Sequence, residues 1–108
     1  MRMLIFFDLP VTNEVEKRTY RQFHKFLIKS GFLMLQNSVY TKILLNTSAL
    51  DSVRECVYKN APKRGSVCML NITEKQFAGL EFLVGAKKTD VLDSDKRVVE
   101  LWNLHIFH

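Results

Sequence analysis

Apolar residues crowd the start of the chain. In Met3-Leu4-Ile5-Phe6-Phe7-Asp8-Leu9-Pro10, apolar positions follow one another without a polar break until a carboxylate and then a proline. A strand that shows no alternation has no wet face, so the pattern predicts a strand over about Arg2 to Asp8 that is covered on both sides. The period then changes. Tyr20, Phe23 and Leu27 recur at helical spacing with Phe26 on their flank, while Lys17, Arg21, Lys25 and Lys29 recur every four residues on a different face. Thr12 or Asn13 caps this helix, and Glu14 and Glu16 suit its positive end. It is expected to run to about Ser30 and stop at Gly31.

Shorter blocks follow. Phe32 to Gln36 reads as a second strand and Ser38 to Leu45 as a third, joined by a tight turn or bulge near Asn37. Asn46-Thr47-Ser48 caps a second helix with Leu50, Val53 and Val57 inward, ending before Pro62. After the basic loop Pro62-Lys63-Arg64-Gly65, Val67 to Ile72 reads as a strand with little alternation, expected to be central. Thr73 and Gln76 have the spacing of a capping box and start a short helix. Phe82 to Val84 is expected to be a short strand, Ala86 to Lys96 a polar loop, and Arg97 to Leu101 a final strand before the apolar tail.

Strand, helix, strand, strand, helix, strand is the βαββαβ order of a ferredoxin-like α+β fold with an antiparallel sheet. One domain over 1–108 is expected, with a core at 1–85 and a C-terminal strand and tail at 97–108. Two helices cover one sheet face. The first and fourth strands look apolar on the other face too, so a cover is required. A second copy packed about a two-fold axis is the favoured cover. The plain alternative is a monomer covered by its own Trp102 to Phe107.

Composition narrows the partners. The chain has 108 residues, 47% hydrophobic and 25% charged, as in ordinary globular proteins. Sixteen basic residues against 11 acidic give +5 and a pI near 9.4, which suits an anionic partner, nucleic acid first. Cys56 and Cys68 lie in apolar company and are expected to be buried free thiols of a cytoplasmic protein. No stretch is long and apolar enough to span a membrane.

Few residues offer chemistry. Asp8 ends a strand where catalytic or metal-binding carboxylates commonly sit, although an Asp before a proline loop also caps turns. In a two-fold dimer with the first strands near the axis, one Asp8 per chain forms a facing pair. Magnesium is commonly held by one or two carboxylates with water and phosphate oxygens. Asp90, Asp93 and Asp95 read as solvated loop residues. His24, His105 and His108 form no ligand set, and neither Ser38 nor Ser66 has a histidine partner at a readable spacing. The basic stripe, with Arg2, Arg18, Arg54, Lys59, Lys63 and Arg64, reads either as a solvated face or as a phosphate-binding surface for duplex DNA with little base readout.

Several blocks together carry a specific resemblance. The opening through Pro10, Tyr20-Arg21, Phe26-Leu27, Gly31-Phe32, Met34 to Lys42, Asn60 to Gly65, Thr73 to Phe77, Ser94-Asp95 and Arg97 to Val99 resemble the CRISPR-associated protein two family. That family is the small adaptation protein, and the blocks resemble its type II-like branch. The resemblance implies a ferredoxin-like homodimer that bridges subunits of an integrase, CRISPR-associated protein one, and binds short duplex DNA for spacer acquisition. It implies magnesium-dependent endonuclease activity for some members, with Asp8 as catalytic residue and metal ligand. Lys17, Arg18, Arg21, Lys25, Lys63 and Arg64 are the expected nucleic-acid contacts. Gln22 and His24 depart from the denser basic run expected on the first helix, and Trp102 to His108 match no family block. A stand-alone metal-dependent endoribonuclease or DNase of toxin-like type is the alternative, and both readings are compatible with the residues.

Overall fold

The computed structural model describes residues 1–85. The loop expected at 86–96, the strand at 97–101 and the tail, with His105, His108, Asp90, Asp93 and Asp95, lie outside the described residues.

The elements are β1 (Arg2–Asp8), α1 (Glu14–Lys29), β2 (Leu33–Gln36), β3 (Val39–Ile43), α2 (Thr47–Asn60), β4 (Ser66–Ile72) and α3 (Glu74–Ala78). The strands form one sheet in the order β2-β3-β1-β4, and every neighbouring pair is antiparallel. This is the ferredoxin-like α+β arrangement that the order of elements predicts. The caps follow the sequence. The Asn13 side chain accepts from the Glu16 N–H at 2.8 Å, Asn46 does the same for Ala49 at 2.8 Å, and Thr73 and Gln76 close a full capping box. No helix of the described residues is long and apolar enough to cross a membrane.

The main core lies between the sheet and the two long helices. Met3, Ile5 and Phe7 of β1 meet Phe23 and Leu27 of α1, Tyr40 of β3, and Leu50 and Val57 of α2. Phe7 is its aromatic hub, edge-on to Phe23 at 5.1 Å and to Tyr20 at 5.6 Å and stacked on Tyr40 at 5.6 Å. Such pairs add about 0.5–1.5 kcal/mol each to plain burial.

The opposite face corrects four expectations. First, within one chain β1 is covered on this face only at its start: Arg2 is buried and Leu4 half-buried, while Phe6 is 39% exposed. Second, β4 is an edge strand, paired only with β1 among the described residues. Its weak alternation arises because Leu70 and Cys68 carry its apolar character onto the open face, where Leu70 is 48% exposed. Third, the chain itself supplies part of the missing cover. Phe77 of α3 and the following Leu80 and Phe82 pack over Leu4, Leu33, Leu35, Val39 and Ile72 in a second cluster. Fourth, Arg2 is no surface charge. It is fully buried beneath α3, with its guanidinium 4.0 Å from the Phe77 ring centroid and two hydrogen bonds to Glu74.

Two smaller readings also change. Phe82 to Val84 form no strand; Phe82 joins the second cluster while Leu83 and Val84 stand exposed. Both cysteines are free and exposed. Apolar sequence neighbours do not say which face a residue takes: Cys56 sits beside buried Val57 on the outer side of α2, and Cys68 faces away from the main core, opposite Phe6.

Candidate functional site

Asp8 is the last residue of β1 and is exposed. Because Phe7 points into the core, alternation sends Asp8 to the open face. Its register partner on β4 is Ser66, so the two side chains are cross-strand neighbours on that face. On the other side the Phe7 N–H donates to the Ser38 carbonyl at 3.0 Å, which brings the β2–β3 turn beside the same strand end. Ser38 holds a left-handed backbone with φ of 65°, the conformation that the tight turn requires of it. Among the described residues the Asp8 carboxylate has no hydrogen bond or ion pair, so both oxygens are open to solvent and ligands.

Gly65 fixes the basic loop against this strand end. Its φ is +81°, and a Cβ there would lie 2.5 Å from the Asp8 carbonyl oxygen and 2.9 Å from Leu9 Cδ2. Only glycine accepts both the angle and the approach. Lys63 and Arg64 therefore sit beside Leu9 and Pro10 and line a cleft of about 290 Å³ with Asn13, Val15, Glu16 and Thr19. Arg64 lies 3.7 Å from the Glu16 carboxylate. Hydrogen bonds from Thr12, first its hydroxyl and then its N–H, hold the Glu16 carboxyl below its ordinary value, and Arg64 adds a smaller effect.

The other expected contacts, Lys17, Arg18, Arg21 and Lys25, are all exposed on α1. Lys17 pairs with Glu14 at 3.5 Å, with 48% and 79% of the side chains exposed, so the pair is worth little and is easily exchanged for a phosphate. Arg18, Arg21 and Lys25 have no ion pair among the described residues.

Among the described residues no three His, Cys, Asp or Glu side chains come together as a metal site. Among the described residues Asp8 has no second ligand beside it. Its hard oxygens suit magnesium, which keeps most of its waters and needs only one or two carboxylates beside a phosphate.

Sequence reasoning set Ser38 and Ser66 aside as nucleophiles for want of a histidine, and did not read their places beside Asp8 or the role of Gly65. The glycine was the readable signal, since it separates a basic pair from a strand whose register partner ends in a carboxylate.

Comparisons place this geometry among known proteins. A family model described as CRISPR associated protein Cas2 matches residues 1–79. A Treponema denticola protein named CRISPR-associated endoribonuclease Cas2 is 46% identical over 101 residues, spanning 94% of this chain and 100% of its own length. A Streptococcus mutans protein of the same name is 45% identical over 101 residues, 94% of this chain and 93% of its own. A Ligilactobacillus salivarius protein of that name is 39% identical, again over 94% of this chain and 100% of its own.

Proposed function

The chain belongs to the CRISPR-associated protein Cas2 family, and on that premise we propose that it works as a homodimeric adaptor. The dimer bridges subunits of the integrase, CRISPR-associated protein one, and holds a short DNA duplex through its phosphates during spacer acquisition. The observation that carries this reading is the cationic surface: Arg18, Arg21 and Lys25 stand exposed on α1 without ion pairs among the described residues, and Gly65 holds Lys63 and Arg64 beside the strand end. Such a surface binds a duplex by charge and releases it by exchange with salt.

The open face supports the dimer. α3 covers only part of it and leaves Phe6 and Leu70 exposed beside Cys68. A second copy on this face buries them and brings two Asp8 residues toward one axis. Full burial of one such side chain contributes about 1.5–3 kcal/mol, part of which association costs offset.

A second activity, phosphodiester cleavage, is favoured by the name that the relatives carry. In this reading Asp8 is the ligand, and magnesium, when bound, supplies Lewis-acid activation of a water and neutralises charge at the scissile phosphate. Lys63 and Arg64 hold the neighbouring phosphate. A stand-alone endoribonuclease or DNase needs only this part of the proposal.

The test is mass by light scattering at low micromolar concentration, first for the chain alone, then with its integrase and a short duplex. A dimer that joins both supports the adaptor. A monomer that cleaves RNA without the integrase supports the stand-alone nuclease and overturns the adaptor.

A further inference from the structure

A cleft of about 260 Å³ opens where α1 meets the β2–β3 turn, lined by Tyr20, Arg21, His24, Met34, Asn37 and Tyr40. Among the described residues its lining contains no carboxylate. Each of its polar side chains offers a donor or is already engaged.

Tyr40 is fully buried, and burial pushes its hydroxyl up to about 12, so it keeps its proton. Its oxygen meets His24 Nδ1 within hydrogen-bond distance. If Nδ1 carried the ring proton, the buried Tyr40 O–H would be left without an acceptor among the described residues, a costly arrangement. Tyr40 therefore donates, Nδ1 accepts, and the proton of the neutral ring sits on Nε2. In the imidazolium form Nε2–H is a donor as well. The Tyr20 hydroxyl is occupied by Ser38 Oγ at 3.1 Å. That leaves the Arg21 guanidinium, without an ion pair among the described residues, the half-buried His24 ring and the exposed Asn37 amide.

We propose that this cleft is a phosphate subsite, in which Arg21, His24 Nε2–H and the Asn37 amide hold one phosphate of the duplex backbone while Tyr40 positions the His24 ring. Lys17, Arg21 and His24 are spaced i, i+4, i+7 and share one flank of α1, so the subsite continues the cationic stripe down to the sheet. His24, which looked like a loss of charge in the sequence, becomes a directional donor. The proposal rests on the DNA-binding reading above, and its test separates the two.

Duplex affinity is measured by fluorescence anisotropy over a salt series in EDTA. Asn37→Asp places a carboxylate at the mouth of the cleft. Asn71→Asp makes the same change of charge on β4, two to three strand spacings or roughly 10–14 Å away across the sheet, beyond the screening length at physiological salt. By Coulomb's law in water, at about 5 Å from a phosphate, Asn37→Asp weakens binding roughly fourfold. It also lowers the salt slope by about 0.9 for each cleft lost, while Asn71→Asp does neither. Tyr40→Phe keeps the ring that stacks on Phe7; nitrogen-15 spectra then show His24 changing from the Nε2–H tautomer to a mixture, with weaker binding. Equal effects of the two Asp variants, or an Nδ1–H tautomer in the unmodified protein, overturn the subsite and leave the DNA-binding reading standing. Inorganic phosphate that binds the cleft without displacing duplex assigns the cleft to free phosphate and overturns the backbone assignment. Absence of any duplex binding by the unmodified protein overturns both.

Discussion

Arg2 and Glu74 meet through two parallel hydrogen bonds, Nε to Oε1 at 3.0 Å and Nη2 to Oε2 at 2.9 Å, across 72 positions of sequence. Arg2 is fully buried and Glu74 8% exposed, and Arg2 Nη1 also reaches Thr41 Oγ1 at 3.4 Å. The pair latches α3 onto the first residue of β1, so the partial cover of the open face depends on it. Removing Glu74 takes two charge-assisted hydrogen bonds from a buried guanidinium, each worth about 1.5–3 kcal/mol. Glu74→Ala is therefore expected to lower the urea midpoint sharply and to raise dye binding at the open face. An unchanged midpoint would show that the latch is dispensable.

Asp8→Asn is expected to fold normally, since the side chain is exposed and has no polar partner among the described residues. Any magnesium-dependent cleavage of RNA or DNA should vanish with it. Full cleavage by this variant, with contaminating nuclease controlled, removes Asp8 from the chemistry.

Gly65→Ala places a Cβ against the Asp8 carbonyl at 2.5 Å in a left-handed backbone. The conformation alone costs about 1–2 kcal/mol. Gly65→Asn, which tolerates the angle better, still meets the carbonyl, so both variants should lose thermal stability and Lys63-dependent DNA affinity together. A stable Gly65→Asn with normal affinity would mean that the close approach does not matter.

Neutralising Lys17, Arg21 and Lys25 together is expected to weaken duplex binding equally for unrelated sequences. If a dimer contacts about six phosphates, the intact protein loses roughly a thousandfold in affinity between 50 and 200 mM salt, and the variant much less. A flat salt response in the intact protein contradicts a phosphate-held duplex.

Glu16 titrates below an ordinary carboxylate because Thr12 bonds its ionised form. Its folded value is depressed, so its contribution to stability is present above the unfolded value and lost as the pH falls through the folded one. Thr12→Val should move the Glu16 midpoint upward in carbon-13 spectra. An unmoved midpoint would remove the hydroxyl as the leading cause and leave the backbone N–H of residue 12, which this variant keeps, ahead of Arg64.

The order of elements and all three helix caps could be read from the sequence because both are local. Asn13, Asn46 and Thr73 each act within four residues, and periodicity decides helix from strand. Asp8 stood out by its place after an apolar run. What could not be read needed contacts between distant positions. Nothing near Arg2 says that Glu74 will bury it. The side that Cys68 takes follows from its register with Phe6, and the orientation of His24 follows from Tyr40, which reaches it from another element. Sequence periodicity also could not tell a central strand from an edge strand, because apolar residues on the open face imitate burial.

The strand order carries a cost in time. β1 is made first, yet it lies between β3 and β4 and finds its neighbours at 39–43 and 66–72. At 5–20 residues per second Glu74 follows Arg2 by roughly 4–14 s of synthesis. Until 39–43 is made β1 has no ladder on either edge, and until 66–72 is made it lacks one of them, with its guanidinium still without Glu74. Pairings this distant in sequence slow folding, since the loop must close before the contacts repay it. The nascent chain is therefore most vulnerable to misassembly before β4 arrives, and the ion pair that closes the sheet can form only after most of the described chain exists.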